Sequence, residues 1–152
     1  MTKLRALAVA AVALYSATAM AGEIAPADVK IDDHKVAESV SGAPGNAEEG
    51  AKIFKDAKGG NCLACHANKA LIKDLFHGNV GPALDGAGTR YAPEQIRAIL
   101  VNSKAVFGPE TTMPGFYSLE VGANVRKDLV GKTVLTAQQV EDVVAYVSTL
   151  KE

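Results

Sequence analysis

The sequence lacks an excess of charge of either sign, and it lacks any long run of like charges. Its 152 residues carry 16 Lys and Arg against 17 Asp and Glu, a formal net charge of −1. This balance does not indicate a nucleic-acid-binding protein, and there is no polybasic tail. The apolar share of 48% and the charged share of 22% are ordinary for a soluble globular protein, and the length suits one domain.

Long hydrophobic runs are also scarce, and the clearest one stands at the N-terminus. Lys3 and Arg5 accompany an almost wholly apolar stretch over 4–14, and small residues follow as far as Ala19-Met20-Ala21. These features are typical of a cleaved secretory signal peptide, predicted here over residues 1–21. The alternative, a retained membrane anchor, needs about 20 apolar residues and fits less well. We therefore expect an exported protein with no membrane span after processing.

Cleavage after Ala21 changes the charge and the methionine count of the mature chain. It removes two basic residues and no acidic one, so residues 22–152 carry a net charge of −3. It also removes Met1 and Met20, which leaves Met113 as the single methionine. A core of this size ordinarily uses several methionines as gap-fillers, so a lone methionine is a candidate for a specific role.

Both cysteines of the chain lie in one short motif, Cys62-Leu-Ala-Cys65-His66. A pair at this spacing has three common meanings: a thioredoxin-like redox pair, half of a zinc site, or a haem c attachment motif. A zinc site needs four ligands, and only His34 and His77 remain as further nitrogen donors. A redox pair needs no histidine after the second cysteine, and the thioredoxin-like βαβ pattern is missing from this sequence.

Haem c attachment uses every reactive group of the motif. Each thiol adds to one haem vinyl group, and the adjacent His66 ligates the iron as the proximal ligand. The export signal supports this interpretation independently, because haem c is attached outside the cytoplasm. The sequence therefore predicts one haem bound covalently by Cys62 and Cys65. Neither thiol is then free to act as a nucleophile, and the chain has no acid–base constellation of its own.

The second axial ligand of the iron has three candidates. Met113 lies in Thr-Thr-Met-Pro-Gly-Phe, where the proline favours a fixed extended loop that could hold a thioether against iron. The alternative role for Met113 is to fill a gap in the core. His77 could complete a bis-histidine site, although a solvent-facing loop histidine is the simpler interpretation, and His34 is the weakest candidate. We predict His66/Met113 ligation, which raises the reduction potential relative to a second imidazole.

A second loop is predicted to support the proximal histidine. In Gly81-Pro82-Ala-Leu84, Pro82 fixes the backbone and Gly81 has no side-chain bulk. A metal-bound histidine usually donates its other ring N–H to a carbonyl or carboxylate, and this loop could present such a carbonyl to His66. The alternative is an ordinary turn. Pro82 is therefore a candidate residue of the cofactor site.

The mature chain begins with a Pro/Gly-punctuated leader over 22–45, followed by the first helical segment. The leader is interpreted either as a disordered tail or as an arm that packs on a partner. Asn46 is predicted to cap a helix over 47–58, with Glu49 completing a variant of the capping box. Gly59-Gly60 is predicted to end this helix just before the cysteine motif.

Two further helices are predicted in the C-terminal half. Pro93 begins one that runs to about Ser103, and Thr136 begins the last, with Gln139 as its capping-box partner. Apolar residues recur on one face of the last helix: Val140, Val143, Val144, Val147 and Leu150. No segment alternates apolar and polar residues over any length, as a strand does. The predicted fold is an all-α domain over 46–152, wrapped around one haem that forms much of the core.

Taken as a set, several motifs resemble the class I cytochrome c family over about residues 46–150. The motifs are Gly50 and Phe54 in the first helix, the Cys62–His66 motif, Gly81-Pro82-x-Leu84, Met113-Pro114, and Tyr146 in the last helix. In that family the first and last helices cross at a contact between a glycine and aromatic rings. The resemblance implies that Gly50, Phe54 and Tyr146 form this contact here.

Four longer segments are similar to a narrower family. They read NVGPAL over 79–84, QIRAIL over 95–100, FGPETTMPGF over 107–116 and LTAQQ over 135–139. Together they resemble SoxX, the monohaem cytochrome subunit of the SoxAX complex of sulfur-oxidising bacteria. The resemblance implies a periplasmic heterodimer with a haem-bearing SoxA subunit, which acts as an L-cysteine S-thiosulfotransferase by oxidatively joining thiosulfate to a cysteine of a carrier protein.

The same resemblance implies how the roles are divided. In that family the bond-forming haem site belongs to SoxA, while SoxX accepts the released electrons and passes them to a soluble cytochrome c. Here it assigns haem attachment to Cys62 and Cys65 and iron ligation to His66 and Met113. The leader and the segment Ser118–Val134 are longer than a minimal cytochrome c needs, so both are candidates for contact with SoxA.

Two residues and two other functions remain open. Arg90 and Tyr91 follow a glycine-rich loop and are candidate partners of a haem propionate, the alternative being a surface arginine and a core tyrosine. A free-standing electron shuttle would need only the general cytochrome pattern. A haem sensor with an open sixth position would need Met113 to lie away from the iron.

Overall fold

The computed structural model describes residues 22–120 and 124–151, and the predicted signal peptide over 1–21 lies outside the described residues. Within these ranges lie four α-helices: α1 (Ala47–Lys55), α2 (Ala87–Arg90), α3 (Pro93–Phe107) and α4 (Ala137–Thr149). The described residues contain one isolated bridge, Asp32–Lys35, and no β-strand, so the all-α prediction is confirmed. Over the same ranges, no helix is both long enough and apolar enough to cross a membrane.

Helices α1 and α4 cross at the glycine and aromatic contact that the family resemblance implies. A Cβ on Gly50 would collide with the carbonyl of Asp142 on α4, so the two backbones meet where α1 has no side chain. The rings of Phe54 and Tyr146 pack edge to face, with centroids 5.4 Å apart and planes 66° apart. This crossing fixes the two helices that form one side of the core.

The predicted N-cap of α1 is half correct. The side-chain oxygen of Asn46 accepts from two backbone N–H groups of the first turn at 2.9 and 3.2 Å. The prediction that Glu49 completes a capping box is wrong, because its carboxylate pairs with Lys52 at 2.6 Å. The backbone N–H of Asn46 instead donates to the carboxylate of Asp142 at 2.8 Å, which ties the start of α1 to α4.

The predicted end of α1 is wrong, whereas the predicted start of α4 is correct. The helix α1 ends at Lys55 because Asp56 takes an extended conformation, so the predicted end at Gly59-Gly60 was too late. The capping box at the start of α4 is confirmed: Thr136 accepts from the Gln139 N–H at 3.2 Å, and the Gln139 side chain accepts from the Thr136 N–H at 2.9 Å.

Helices α3 and α4 supply the rest of the core. All five predicted stripe positions at α4 are 7% exposed or less: Val140, Val143, Val144, Val147 and Leu150. Helix α3 runs beyond the predicted end to Phe107 and is kinked at Asn102, whose φ of −152° and ψ of 90° are non-helical. The four-residue α2 was not predicted, because a single turn carries no periodic pattern.

The leader packs against the chain's own helices. Val36 is 3% exposed and Val40 is fully buried. Arg97 on α3 and Glu141 on α4 form a bidentate ion pair with N–O distances of 2.8 to 3.1 Å, while Arg97 also donates to the Val36 carbonyl and Glu141 accepts from the Val40 N–H. Because both charges are buried, removing either partner would cost about 3–5 kcal/mol.

Candidate haem-binding site

A cavity of about 680 Å³ lies between the helices and the loops that follow α1 and α3. Cys62, Cys65, His66 and Met113, which the sequence analysis predicts to hold one haem, all line this cavity. Among the described residues, no Asp, Glu, Lys or Arg lines it. Its volume lies within the roughly 300–1,000 Å³ of typical ligand pockets, and an apolar wall with few polar groups is typical of cofactor sites.

The cysteine motif forms a tight turn on the wall of the cavity. The backbone N–H groups of Cys65 and His66 both donate to the Cys62 carbonyl, at 3.1 and 2.9 Å. Both thiols are free, and burial raises the pKa of Cys62 to about 12. No cluster of three or more His, Cys, Asp or Glu with metal-binding geometry occurs among the described residues.

The loop at Gly81-Pro82 holds the imidazole of His66. The His66 Nδ1–H donates to the Pro82 carbonyl at 2.7 Å. Since a carbonyl can only accept, the proton is on Nδ1, and Nε2 keeps its lone pair for a metal. A Cβ on Gly81 would collide with the His66 ring, while the Gly81 N–H donates to the Cys65 carbonyl at 2.9 Å. The loop therefore orients the ring through one hydrogen bond and close contact.

The loop that carries Met113 docks on the kink of α3. Ser103 is fully buried, and its hydroxyl donates to the Met113 carbonyl at 2.5 Å. The N–H of Phe116 donates to the Leu100 carbonyl at 2.9 Å, which places the segment after Met113 directly against α3. The half-buried Met113 packs against the core cluster. Its side chain thus reaches the cavity from a loop that α3 holds by its backbone.

The other two candidate ligands lie elsewhere. His77 does not line the cavity, because its Nδ1 accepts from the Asn68 N–H at 3.2 Å and its Nε2 donates to the Leu71 carbonyl at 3.0 Å. His34 is exposed and lines a second groove of about 300 Å³, which shares Tyr91, Ile99 and Phe107 with the cavity but not His66. Of the three candidates for the second ligand, Met113 alone shares the cavity with His66.

Arg90 and Tyr91 are placed differently from each other. The exposed Arg90 donates to the carbonyls of Asp85 and Ala83, at 2.7 and 3.3 Å, and does not line the cavity. It therefore supports the loop that also carries Pro82. Tyr91 does line the cavity and is 37% exposed, so it lies at the mouth rather than in the core.

Sequence reasoning missed three residues that shape the site. Asn102 and Ser103 form the kink, and their signal was available as two N-cap-type residues in succession at the predicted end of α3. Asn68 is 1% exposed and donates to the Tyr146 hydroxyl at 2.7 Å, which links the loop after the cysteine motif to α4. Nothing in the local sequence distinguishes Asn68 from an ordinary loop asparagine.

These residues fit the predicted haem. Two free thiols at the attachment spacing, an imidazole with its Nδ1–H already engaged, and a thioether all line one apolar cavity. Apolar side chains from α3 and α4 form its deep wall, including Ile96, Leu100 and Val143, each 5% exposed or less. Such a lining suits a large, flat and mostly apolar group.

Comparisons with known proteins agree with this site. No curated protein matches the chain. The family model described as Cytochrome c matches residues 47–151. Among solved structures, a chain of SoxXA from P. pantotrophus is 42% identical with a TM-score of 0.79, and the match covers 86% of this chain and 100% of that chain. The chain therefore belongs to the cytochrome c family, and the resemblance to SoxX predicted from its motifs is confirmed.

Proposed function

We propose that the chain is a monohaem c-type cytochrome and the electron-accepting subunit of a SoxAX-like complex. The observation that carries this proposal is that one apolar cavity is lined by Cys62, Cys65, His66 and Met113. Haem c, when bound there, supplies a one-electron iron couple. The two cysteines would attach it, and His66 and Met113 would be the axial ligands.

The residues of the cavity tune such a couple in two ways. A neutral thioether from Met113 favours the reduced state relative to a second imidazole, which raises the reduction potential. The buried apolar wall keeps the site dry, and a low local dielectric also disfavours the more highly charged oxidised state. The hydrogen bond from His66 to Pro82 keeps the imidazole in one orientation while an electron enters or leaves.

The similarity to SoxXA supports a specific place for this electron transfer. We place the chain in a periplasmic heterodimer with a SoxA-like haem subunit, acting as an L-cysteine S-thiosulfotransferase on a cysteine of a carrier protein. Joining a thiol to thiosulfate forms one S–S bond and releases a proton and two electrons. The chain would accept these electrons one at a time and pass them to a soluble cytochrome c, without an active site of its own.

The mouth of the cavity supports a lasting apolar contact with a partner. Three large apolar side chains that line the cavity are well exposed: Val80 at 68%, Phe107 at 55% and Tyr91 at 37%. In the loop before Val80, Leu75 and Phe76 are 75% and 89% exposed. Exposed apolar patches of this kind mark interaction sites.

The two segments predicted to contact SoxA differ in this respect. The leader buries Val36 and Val40 against the chain's own helices, so these two residues are not available to a partner. The segment Ser118–Val134 keeps Leu119 and Val130 at 50% and 66% exposure, and it remains a candidate contact. The experiment below compares the segment Ser118–Val134 with the cavity mouth.

The haem is tested first, on the full chain expressed with its own predicted signal peptide in a host that matures c-type cytochromes. A pyridine haemochrome assay on the secreted protein should count one haem per chain, and the intact mass should show loss of residues 1–21. A colourless product with the two thiols joined to each other or bound to zinc would end the proposal.

The partner is tested by co-expression with a SoxA-like subunit and purification through a tag on that subunit. The wild type should co-purify as a 1:1 heterodimer that resists high salt. Phe107→Ser should weaken the complex if the cavity mouth is the contact, and Val130→Ser should do so if the segment Ser118–Val134 is. A chain that stays monomeric yet cycles between oxidised and reduced states would instead be a free-standing electron shuttle.

A further inference from the structure

The kink in α3 rearranges the hydrogen bonds of the helix at one place. The side-chain oxygen of Asn102 accepts from the N–H groups of Lys104 and Ala105, at 3.2 and 3.4 Å, as an N-cap does at the start of a helix. The second half of α3 therefore begins anew at Asn102, and the carbonyls of Leu100 and Val101 are released from the helical ladder.

The released groups bind the segment around Met113. The carbonyls of Leu100 and Val101 accept from the N–H groups of Phe116 and Tyr117, at 2.9 and 3.3 Å. Ser103 donates to the carbonyls of Met113 and Pro114 at 2.5 and 3.3 Å. Lys104 adds a bond from its ammonium group to the Thr111 carbonyl at 2.6 Å. Within this short stretch, both sides of Met113 are bonded to α3.

We propose that the kink positions Met113, the proposed second axial ligand, and that Ser103 is the principal positioning residue. The inference rests on the ligation by Met113 proposed above. A thioether is a weak hydrogen-bond acceptor, so the position of Met113 is set by the backbone that carries it. Ser103 is fully buried and its hydroxyl donates to the Met113 carbonyl, so it acts on the backbone of the proposed ligand residue itself.

The kink determines how firmly Met113 would occupy the sixth coordination position of the iron. When Ser103 is replaced by alanine, the half-buried carbonyls of Met113 and Pro114 lose their donor, and the loop gains freedom to move away from the cavity. An external ligand then competes more easily for the same position. The expected consequence is a change in ligand competition, with little change in haem content.

The test uses the haem-loaded, oxidised mature protein and titrates it with imidazole. Ser103→Ala should bind imidazole about tenfold more tightly than the wild type, because one buried hydrogen bond no longer holds the competing ligand. It should also weaken the far-red absorption band that marks a thioether bound to ferric haem. Asn102→Ala should act in the same direction, while Asn102→Asp keeps an oxygen cap and should restore wild-type imidazole binding.

Ser118→Ala is the matched control. Ser118 is a buried serine a few residues beyond Met113, and its hydroxyl accepts from the Glu120 N–H at 3.1 Å rather than holding the Met113 loop. It should bind imidazole as the wild type does. Wild-type imidazole affinity and an intact far-red band in Ser103→Ala would overturn the inference.

Two further outcomes separate this inference from the proposed function. If Ser103→Ala does not load haem, the Asn102→Ala and Asn102→Asp pair decides, because equal imidazole affinity in that pair also overturns the inference. If Met113→Ala binds imidazole no more tightly than the wild type, Met113 is not the ligand, and the proposed ligation falls together with the inference.

Discussion

The two sides of the cavity hold their proposed ligand residues in different ways. On the side of the cysteine motif, the His66 ring itself makes the hydrogen bond to Pro82, and Gly81 lies directly against it. On the other side, no hydrogen bond to the Met113 thioether is found among the described residues, and α3 holds the residue by its backbone carbonyl, which accepts from Ser103. We call these the proximal and distal sides of the site.

This difference has a physical consequence for each side. The proximal ligand is clamped by local contacts within 62–82, so a disturbance there acts directly on the atom that would bind iron. The distal ligand depends on a tertiary contact between a loop and a kinked helix, and its bond can open without unfolding the rest of the domain. We therefore expect proximal changes to abolish the site and distal changes to tune it.

The largest effect is expected from Gly81→Ala on the proximal side. The added Cβ would collide with the His66 ring, and the Gly81 N–H bond to Cys65 keeps the backbone from moving away. The bond to Pro82 should break, the fraction of haem-loaded protein should fall several-fold, and stability should drop by about 1–3 kcal/mol. Haemochrome content per chain and chemical denaturation measure these effects.

Gly22→Ala is the control for this substitution, because a Cβ there meets no atom within 4 Å. It should leave both haem content and stability unchanged. Full haem loading with wild-type stability in Gly81→Ala would show that the proximal clamp yields easily, and the contrast between the two sides would be lost.

A smaller, more selective effect is expected from Met113→Ala on the distal side. The variant should still carry one covalent haem, because both cysteines and His66 remain. It should lose the far-red thioether band, and its reduction potential should fall by on the order of 0.1 V, since axial ligands are a main determinant of haem potentials. Absorption spectra of the oxidised protein and a redox titration measure both changes.

His77→Ala is the matched substitution at the rival ligand. Both ring nitrogens of His77 are engaged by backbone groups, so its removal should loosen the loop but leave the band and the potential in place. Loss of the band in His77→Ala, or its survival in Met113→Ala, would reverse the assignment of the distal ligand.

The proximal side was far easier to predict from sequence than the distal side. The Cys62–His66 motif and the Pro82 loop are local, and their chemistry follows from residue types at fixed spacing. Met113 could be proposed because it is the only methionine of the mature chain. The support from Ser103 could not, because it joins residues of two elements that only the folded chain brings together.

The predictions of the fold divide in the same way, into those that depend on local sequence and those that depend on tertiary contacts. The stripe at α4 and the capping box at Thr136 follow from periodicity and cap chemistry, and both were predicted correctly. The leader was not, because its place depends on a buried ion pair between Arg97 and Glu141, two charged residues that composition alone assigns to the surface. Glu49 failed as a capping residue since Lys52 and Asp142 offered competing partners.

The smallest expected effect is on the pH dependence of stability. It concerns two buried tyrosines, one behind the proximal side of the cavity and one behind the distal side. Tyr117, just beyond the distal loop, donates to the Ile24 carbonyl at 2.8 Å, and burial and the nearby Glu23 raise its pKa to about 12. Tyr146, behind the proximal side, accepts from Asn68 at 2.7 Å, and burial raises its pKa as well. Both phenols are therefore held protonated more firmly in the folded chain than in the unfolded one.

Because folding raises both phenol pKa values, the folded chain loses stability as the pH rises into the alkaline range. A raised pKa in the folded state contributes stability that is complete below the ordinary phenol pKa of about 10 and is lost as the pH rises through the folded value of about 12 for Tyr117. In Tyr117→Phe the loss of stability between those pH values should be shallower than in the wild type, as measured by urea unfolding of the haem-loaded protein at several alkaline pH values. Tyr146→Phe should flatten the same profile less, because no comparably large shift is found for Tyr146. An equal alkaline loss in Tyr117→Phe and the wild type would mean that folding does not raise the pKa of Tyr117.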